Sequence, residues 1–513
     1  MKDFYTRNEY VSIKTDYLNK IVYLNDDEFV GDEYEINVKH TGEIVIYANN
    51  ERGRNYALES LEEFISGDKV LICTLHDKPS FILRGIIEGF YGKPYTKKER
   101  LDIIDFCVRT KLNTYFYAPK DDLYHRMNWR DLYPEVELNN LKDLIDYAKE
   151  RNIDFYYCIA PGNDFDYCLE EDYEKFFKKI KQIMDLGVNK FALLMDDIPL
   201  KLTDEQAKRF ETVGNAHAYL SNVMYDYLRN ELKDFNLLMC PTDYFQLGET
   251  PYRTDLMKSI YSEIGIFWTG YNTVSEKIDE RQAKKINKVL GKNLYLWDNY
   301  PVNDFWCKER VYLGAISNRS VNLCNYHMGY VCNPAWLWNL SKIPLHTMAQ
   351  YAYDSSSYYE QDALKNAIED LIEEDYQNAF ELLCWYSSSG VIEENHFDTV
   401  MSELYKEKNF KVLDKIYKEM EYVSRKLRTY PDKDMLEELT PLLDYMDLEV
   451  SLYKGLKKHK IDPKIIKKMT SLVARTSNQE ILRYIKDNNL VDFEIELTEK
   501  RMNYWRYLDE EKL

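Results

Sequence analysis

The stretch Lys190-Phe-Ala-Leu-Leu-Met-Asp-Asp-Ile-Pro199 decides how the rest of the chain is read. Five apolar residues, Phe191 to Met195, lead directly into two adjacent carboxylates, Asp196 and Asp197. A short apolar run of this kind predicts a strand buried on both faces, as in a parallel sheet. Neighbouring side chains on a strand point to opposite faces, so both aspartates can reach one ligand only where the backbone turns at the strand end. Pro199 has no N–H to give to a sheet and fits such an ending. Carboxylates at the C-terminal end of a buried parallel strand stand where barrel enzymes carry their chemistry. Taken alone, an Asp-Asp pair reads more simply as a helix cap beside a solvated acid, so the reading rests on the remaining chain.

From Phe81 onward, apolar runs alternate with amphipathic helical segments. The runs are Ile82–Ile87, Thr114–Ala118, Asp154–Ala160, Phe191–Met195, Leu237–Cys240, Ile264–Trp268, Leu294–Trp297 and, least sharply, Val321–Val331. Two of the intervening helices open with capping-box patterns, Thr96-Lys-Lys-Glu99 and Thr203-Asp-Glu-Gln206. This alternation predicts an α/β fold, a (β/α)8 TIM barrel over residues 79–344. An open doubly wound sheet is the competing arrangement, but no G-x-G-x-x-G follows a strand to support it.

Residues 1–78 predict a small α/β domain. Strands over Asp32–Val38 and Glu43–Ala48 flank a turn at Thr41-Gly42, and a helix over Asn55–Ile65 carries Leu58, Leu61, Phe64 and Ile65 on one face. Residues 345–513 predict an all-α helical bundle with segments over 362–386, 397–428, 433–458 and 463–475, broken or kinked at Pro431, Pro441 and Pro463.

The charge balance narrows the partners. With 88 acidic against 68 basic residues the net charge is -20, which argues against nucleic acid. No apolar run reaches the roughly 18 residues of a membrane helix, and Met1–Asn8 lacks the apolar core of a signal peptide. The nine cysteines are scattered without metal-site spacing, which predicts reduced thiols and a cytoplasmic setting. There is no His/Cys cluster for a metal, no phosphate loop and no nucleophile elbow, so neither metal nor cofactor is expected.

Polar and aromatic residues recur at the C-terminal ends of the barrel strands. The first strand ends in Arg84-Gly-Ile-Ile-Glu-Gly-Phe-Tyr-Gly92, where Gly89 and Gly92 would let a ligand approach the backbone closely. The second ends in Tyr117-Ala-Pro-Lys-Asp-Asp122, which brings in Lys120. The fifth ends in Cys240-Pro-Thr-Asp-Tyr244 and the seventh in Trp297-Asp-Asn-Tyr-Pro-Val-Asn-Asp304, with Asn299 between. The eighth ends near Cys332-Asn-Pro334, adding Asn333. Singly these are a turn, a surface ion pair or a core indole. Gathered on one rim they suit a neutral polyhydroxyl ligand: aromatics stack on the apolar face of a sugar while Asn, Asp and Lys bond its hydroxyls.

These motifs, with Asn113–Asp122 and Trp268-Thr-Gly270, resemble the family-84 glycoside hydrolases, the O-GlcNAcase-like and bacterial hyaluronidase-like β-N-acetylglucosaminidases. The resemblance spans the whole barrel and keeps the motif order. It implies a retaining hydrolase of terminal β-linked GlcNAc on a glycan or glycoprotein, in which the substrate's own acetamido oxygen attacks the anomeric carbon to give an oxazoline. On this resemblance Asp196 would orient the acetamido N–H, and Asp197 would protonate the leaving oxygen and then activate water. Tyr244 would bond the acetamido oxygen, Cys240 and Trp297 would enclose its methyl, and Gly89, Lys120, Asn299, Asp304 and Asn333 would hold the sugar. One departure is Cys332, where the family carries Ser or Thr. Two close carboxylates cannot both ionise freely, so one of the pair is expected to have a raised pKa. Two alternatives differ in signature: chitinase-like and family-20-like enzymes carry Asp-x-x-Asp-x-Asp-x-Glu or Asp-Glu, and a non-catalytic glycan-binding barrel would be expected to have lost Asp197 or Asp304.

Overall fold

The computed structural model describes residues 2–13, 17–304, 311–388, 397–472, 480–492 and 495. At the N-terminus, β1 (Lys2–Ser12), β2 (Val22–Leu24), β3 (Tyr34–Val38), β4 (Ile44–Ala48), β5 (Ile65–Ser66) and β6 (Lys69–Asp77) form one sheet, with the helix α1 (Glu51–Glu62) after β4. The two expected strands are β3 and β4, paired antiparallel. Strands β1 and β6 are additional; β6 is the long strand against which both β1 and β3 pair. Helix α1 starts earlier than the apolar spacing suggests, because Asn50 caps it by accepting a bond from the Gly53 N–H. It ends before Phe64 and Ile65, and Ile65 belongs to β5.

Eight parallel strands close into a barrel: β7 (Leu83–Glu88), β8 (Thr114–Tyr117), β9 (Asp154–Ile159), β10 (Lys190–Leu194), β11 (Asn236–Cys240), β12 (Gly265–Trp268), β13 (Leu294–Asp298) and β14 (Gly329–Cys332). The helices between them are α2 (Lys97–Arg109), α3 (Glu135–Glu150), α4 (Glu170–Met184), α5 (Asp204–Phe210), α6 (Val213–Glu231), α7 (Pro251–Ser259) and α8 (Glu280–Leu290). Both sequence-predicted capping boxes form, at Thr96 and Thr203, and a third forms at Asp279 with Gln282. Ile87, Phe116, Ala192, Leu194, Leu238, Phe267 and Val331 fill the barrel interior, while the outer strand faces pack on the helices. The eighth strand is only the last part of the run expected for it, since Leu323–Asn325 is a 3-10 turn.

The ring α9 (Trp338–Tyr353) completes spans position 344, where the sequence reading ended the barrel, with Pro344 inside it. Helix α9 contacts β7 and β14 and, among the helices that follow, α10 (Glu360–Leu371) and α14 (Lys433–Lys457); the others are α11 (Glu374–Tyr386), α12 (Phe397–Lys406), α13 (Phe410–Leu427), α15 (Pro463–Leu472) and α16 (Glu480–Asp487). Two expected long helices are each split in two, at Ile372-Glu373 and over 407–409. Pro441 lies within α14 without ending it, and Pro463 opens α15. The expected continuation of the last segment to residue 475 lies outside the described residues. No described helix is long and apolar enough to cross a membrane.

The N-terminal sheet is fastened to the barrel by buried charge. Arg84, at the start of β7, donates to Asp32 at 2.7 Å with both side chains wholly buried, and Arg52 bridges Asp32 and Asp154. The guanidinium groups of Arg84 and Arg52 outweigh burial and hold the Asp32 carboxyl well below its ordinary range.

Candidate active site

The rim is built from strand ends, beginning with β10. Beyond Leu194 the chain still follows β11, through a bond from the Met195 N–H to the Cys240 carbonyl at 2.9 Å. Asp197 then takes a left-handed conformation, φ 54°. Aspartate tolerates that region better than most side chains, and the turn lets consecutive carboxylates line one cavity despite the strand's alternation. Asp196 is buried, whereas Asp197 is exposed at the mouth.

That cavity has a volume of about 190 Å3. All ten residues singled out in the sequence line it: Gly89, Lys120, Asp196, Asp197, Cys240, Tyr244, Trp297, Asn299, Asp304 and Asn333. Tyr91, Thr269, Thr273, Val274 and Val302 line it as well and carried no assigned role in the sequence reading. Tyr91 stands between glycines at the end of the first strand, a position that could have flagged it. The loop 269–274 holds no acid or cation to attract notice.

Lys120 Nζ donates to Asp196 Oδ2 at 2.5 Å, while Asp196 Oδ1 is buried without a hydrogen-bond partner. Burial alone would raise the Asp196 carboxyl; the Lys120 ammonium more than reverses this and holds it below its ordinary value. Burial likewise opposes charge on Lys120, and Asp196 overrides it, so the ammonium is held charged. The rise expected within the aspartate pair therefore does not fall on Asp196, because a cation rather than its neighbour dominates its field. Asp304, which is not part of that pair, is the site carboxyl that burial pushes up.

Asp197 is held by two phenols: Tyr91 donates to Oδ2 at 2.9 Å and Tyr244 to Oδ1 at 3.0 Å. In this structure the Tyr244 hydroxyl proton is thus directed at Asp197. The Tyr91 backbone N–H donates to Asp304 Oδ2 at 2.6 Å, so one residue links the acid at the mouth to the acid on the opposite wall. Burial keeps the Tyr91 and Tyr244 hydroxyls protonated, and keeps the Cys240 thiol neutral beside them.

The far wall is an amide network. Asn299 Oδ1 accepts from Trp297 Nε1 and from Asn333 Nδ2, each at 3.0 Å, and Asn299 Nδ2 donates to the Thr273 carbonyl at 2.8 Å. Asn333 Oδ1 accepts the Gly89 N–H at 3.2 Å, closing the ring from the seventh strand to the first. Gly89 is there because nothing larger fits: a Cβ would lie 2.6 Å from Trp297 Cζ2. Cys332 stays in the strand and is buried, and it hands the chain to Asn333 without entering the cavity lining.

Other motif residues turn away. Arg84 serves the domain contact described above, and Glu88 is buried against Arg100 and Tyr115. Asp122 accepts from Tyr117 and Tyr133. Trp268 packs outside the strands and donates to the Gln246 carbonyl. Among the described residues no group of three or more His, Cys, Asp or Glu could hold a metal.

A closed parallel barrel with paired aspartates on its C-terminal rim has its acids where barrel enzymes carry their chemistry. The sequence matches the β-N-acetylglucosaminidase family over residues 84–384, more than half of the chain, and the chain belongs to that family, glycoside hydrolase family 84. It is 31% identical over 294 residues to Protein O-GlcNAcase of Rattus norvegicus and, to the same extent, of Mus musculus. Those matches cover 56% of this chain and 32% of each relative, so the chain spans about a third of their length. Among solved structures, CpGH84B superposes with a TM-score of 0.78 at 23% identity, over 95% of this chain and 98% of that one, a likeness of fold. A mutant of the Thermobaculum terrenum O-GlcNAc hydrolase superposes with a TM-score of 0.71 at 28% identity, over 84% of this chain and 97% of that one.

Proposed function

We propose that this chain is a retaining exo-β-N-acetylglucosaminidase that removes terminal β-linked GlcNAc by substrate-assisted catalysis through an oxazoline. The observation that carries the reading is the buried, unpartnered Oδ1 of Asp196 on a carboxylate held ionised by Lys120. A buried acceptor without a donor is costly unless a ligand supplies one, and an acetamido N–H is such a donor. Asp196 would draw that N–H, sharpening the carbonyl oxygen as a nucleophile. Asp197, exposed at the mouth, would give its proton to the leaving oxygen and later take one from water.

In the same reading Tyr244 leaves Asp197 to bond the acetamido oxygen, and Cys240 and Trp297 enclose the methyl. Gly89, Lys120, Asn299, Asp304 and Asn333 grip the sugar. A cavity of about 190 Å3 suits one sugar ring, being smaller than the roughly 300–1,000 Å3 of drug-sized sites. The substrates are GlcNAc-bearing glycans or glycoproteins, the O-linked protein modification named for the relatives among them. A cytoplasmic setting is supported by eight described cysteines, none in a disulfide, and the absence of a nucleic-acid partner by the net charge of -20. The units 1–78, 79–344 and 345–513 are proposed as domains, each with its own apolar cluster, although Val311, Leu313, Leu340 and Ile343 join the third cluster and Leu345, Met348 and Ala349 of α9 join the barrel's.

The test is a leaving-group series of aryl β-N-acetylglucosaminides. Asp197→Ala should lose about 10²–10⁴ in kcat/KM on poor leaving groups, a typical general-acid contribution, and far less on activated ones. An equal loss across the series would remove Asp197 from that role.

A further inference from the structure

Outside the cavity, the loop that follows β8 reaches the ring of Tyr91, the residue that bonds Asp197. Two anchors fix this loop. The His125 carbonyl accepts from the Ala160 N–H at 2.9 Å, and the buried Trp129 donates to Asp164 at 2.8 Å. Between these anchors Arg126 lays its guanidinium against the Tyr91 ring, Cζ 5.1 Å from the centroid, and the hydroxyl of that ring bonds Asp197. Arg126 makes no side-chain hydrogen bond or ion pair with any described residue. The neighbouring Arg130, by contrast, is paired with both Asp164 and Asp172. On the same turn Leu123 and Met127 are 53% and 61% exposed.

A guanidinium held over an aromatic ring by cation–π attraction and bonded to no other side chain keeps its N–H groups free, and they match a carboxylate. In a chain of net charge -20, an acidic ligand needs a local cation to hold it. The flanking aliphatic and thioether side chains suit apolar side chains rather than sugar hydroxyls.

Resting on the activity proposed above, we infer that Arg126 is a specificity-determining residue on the leaving-group side, recognising a carboxylate carried by the aglycone. The aglycone is an acidic polypeptide segment, whose Asp or Glu side chain meets Arg126 while an apolar neighbour covers Leu123 and Met127. The sugar stays in the cavity, the glycosidic oxygen faces Asp197, and the chain leaves across the Tyr91 edge.

Three substrates decide it: a peptide with β-GlcNAc on serine and aspartates next to it, the same peptide with asparagines, and a disaccharide of β-GlcNAc on glucuronate. The wild type should favour the acidic over the neutral peptide by about tenfold in kcat/KM, the scale of one charge-assisted contact. The preference should lie in KM, shrink with added salt, vanish in Arg126→Gln and persist in part in Arg126→Lys. If Arg126 only packs against Tyr91, Arg126→Gln would slow both peptides alike and leave their ratio intact, which overturns the proposal. A greater preference for the glucuronate disaccharide than for the acidic peptide overturns the polypeptide assignment. An aryl β-N-acetylglucosaminide serves as reference: cleavage of it without any peptide discrimination defeats this inference alone, and no cleavage of it defeats the activity itself.

Discussion

Lys120 and Asp196 form a buried ion pair at 2.5 Å that engages one carboxylate oxygen and leaves the other free for a ligand. On the proposed mechanism this pair governs the acid limb of the pH profile. Burial alone would push Asp196 up, and Lys120 brings it below its ordinary value. Lys120→Met removes the cation and keeps the stem, so the carboxyl must rise. The acid limb of the kcat/KM profile should then move up by about one to three pH units, because a protonated Asp196 no longer accepts the acetamido N–H. A uniform loss of rate with an unmoved acid limb would show that Lys120 only grips the sugar.

Gly89 and Trp297 share one space. In Gly89→Ala the added Cβ would meet Trp297 Cζ2 at 2.6 Å, and the indole is held by its bond to Asn299. Overpacking of this kind costs about 1–3 kcal/mol, and the ring yields only by tilting into the cavity. Loss of kcat/KM by more than about tenfold, equivalent to about 1.4 kcal/mol of barrier, is expected with a wild-type fold by circular dichroism. Wild-type kcat/KM would show that Trp297 does not shape the sugar site.

Much of this arrangement could be read from the chain because local rules and global fold agree. The Phe191–Met195 run, the capping boxes at Thr96 and Thr203 and the strand-end motifs each point to the same barrel, and the ten chosen residues meet at one cavity. What escaped notice depends on tertiary contacts. Tyr91 acts through a backbone bond to Asp304, more than two hundred residues away, and no local pattern encodes that. The fall in the Asp196 pKa required knowing that Lys120 reaches it, since adjacency in sequence suggested only repulsion from Asp197. Strand β1 is hard to read because polar residues interrupt its alternation and it carries an irregularity between Thr6 and Tyr10, whereas β6 holds the apolar run Val70–Cys73, too short to tell strand from helix by itself. The breaks at Ile372-Glu373 and over 407–409 lack Gly or Pro, so charged amphipathic spacing runs through them.

Glu449 offers a test of the helical region apart from the active site. It is buried in α14, where burial pushes its carboxyl from 4.5 up to about 8. The nearby charge of Asp398 adds to the rise, and the Tyr417 hydroxyl, 3.0 Å away, opposes it. Between about pH 4.5 and 8 the folded chain therefore holds a proton that the unfolded chain has lost, and stability falls as the pH rises through that window. Glu449→Gln cannot ionise, so its melting temperature should decline less from pH 6 to pH 9. At the upper end it should exceed the wild type by the equivalent of a few kcal/mol. Parallel melting curves against pH would show that Glu449 keeps its ordinary ionisation in the fold.

The central claim is that the substrate's acetamide, with Asp196 behind it, supplies the nucleophile. A double displacement by protein needs a nucleophile beneath the anomeric carbon and an acid beside the leaving oxygen, about 5–5.5 Å apart. Here the two acids are consecutive, and Asp196 is already committed to Lys120. The most direct measurement is kcat/KM for aryl β-glycosides whose N-acetyl group carries none, one, two or three fluorines. Each fluorine drains charge from the attacking oxygen with little change in size. The account predicts a steep fall along the series, each tenfold step matching about 1.4 kcal/mol of barrier. A flat series, or a peptide bearing the sugar covalently on Asp196 or Asp197, would contradict it.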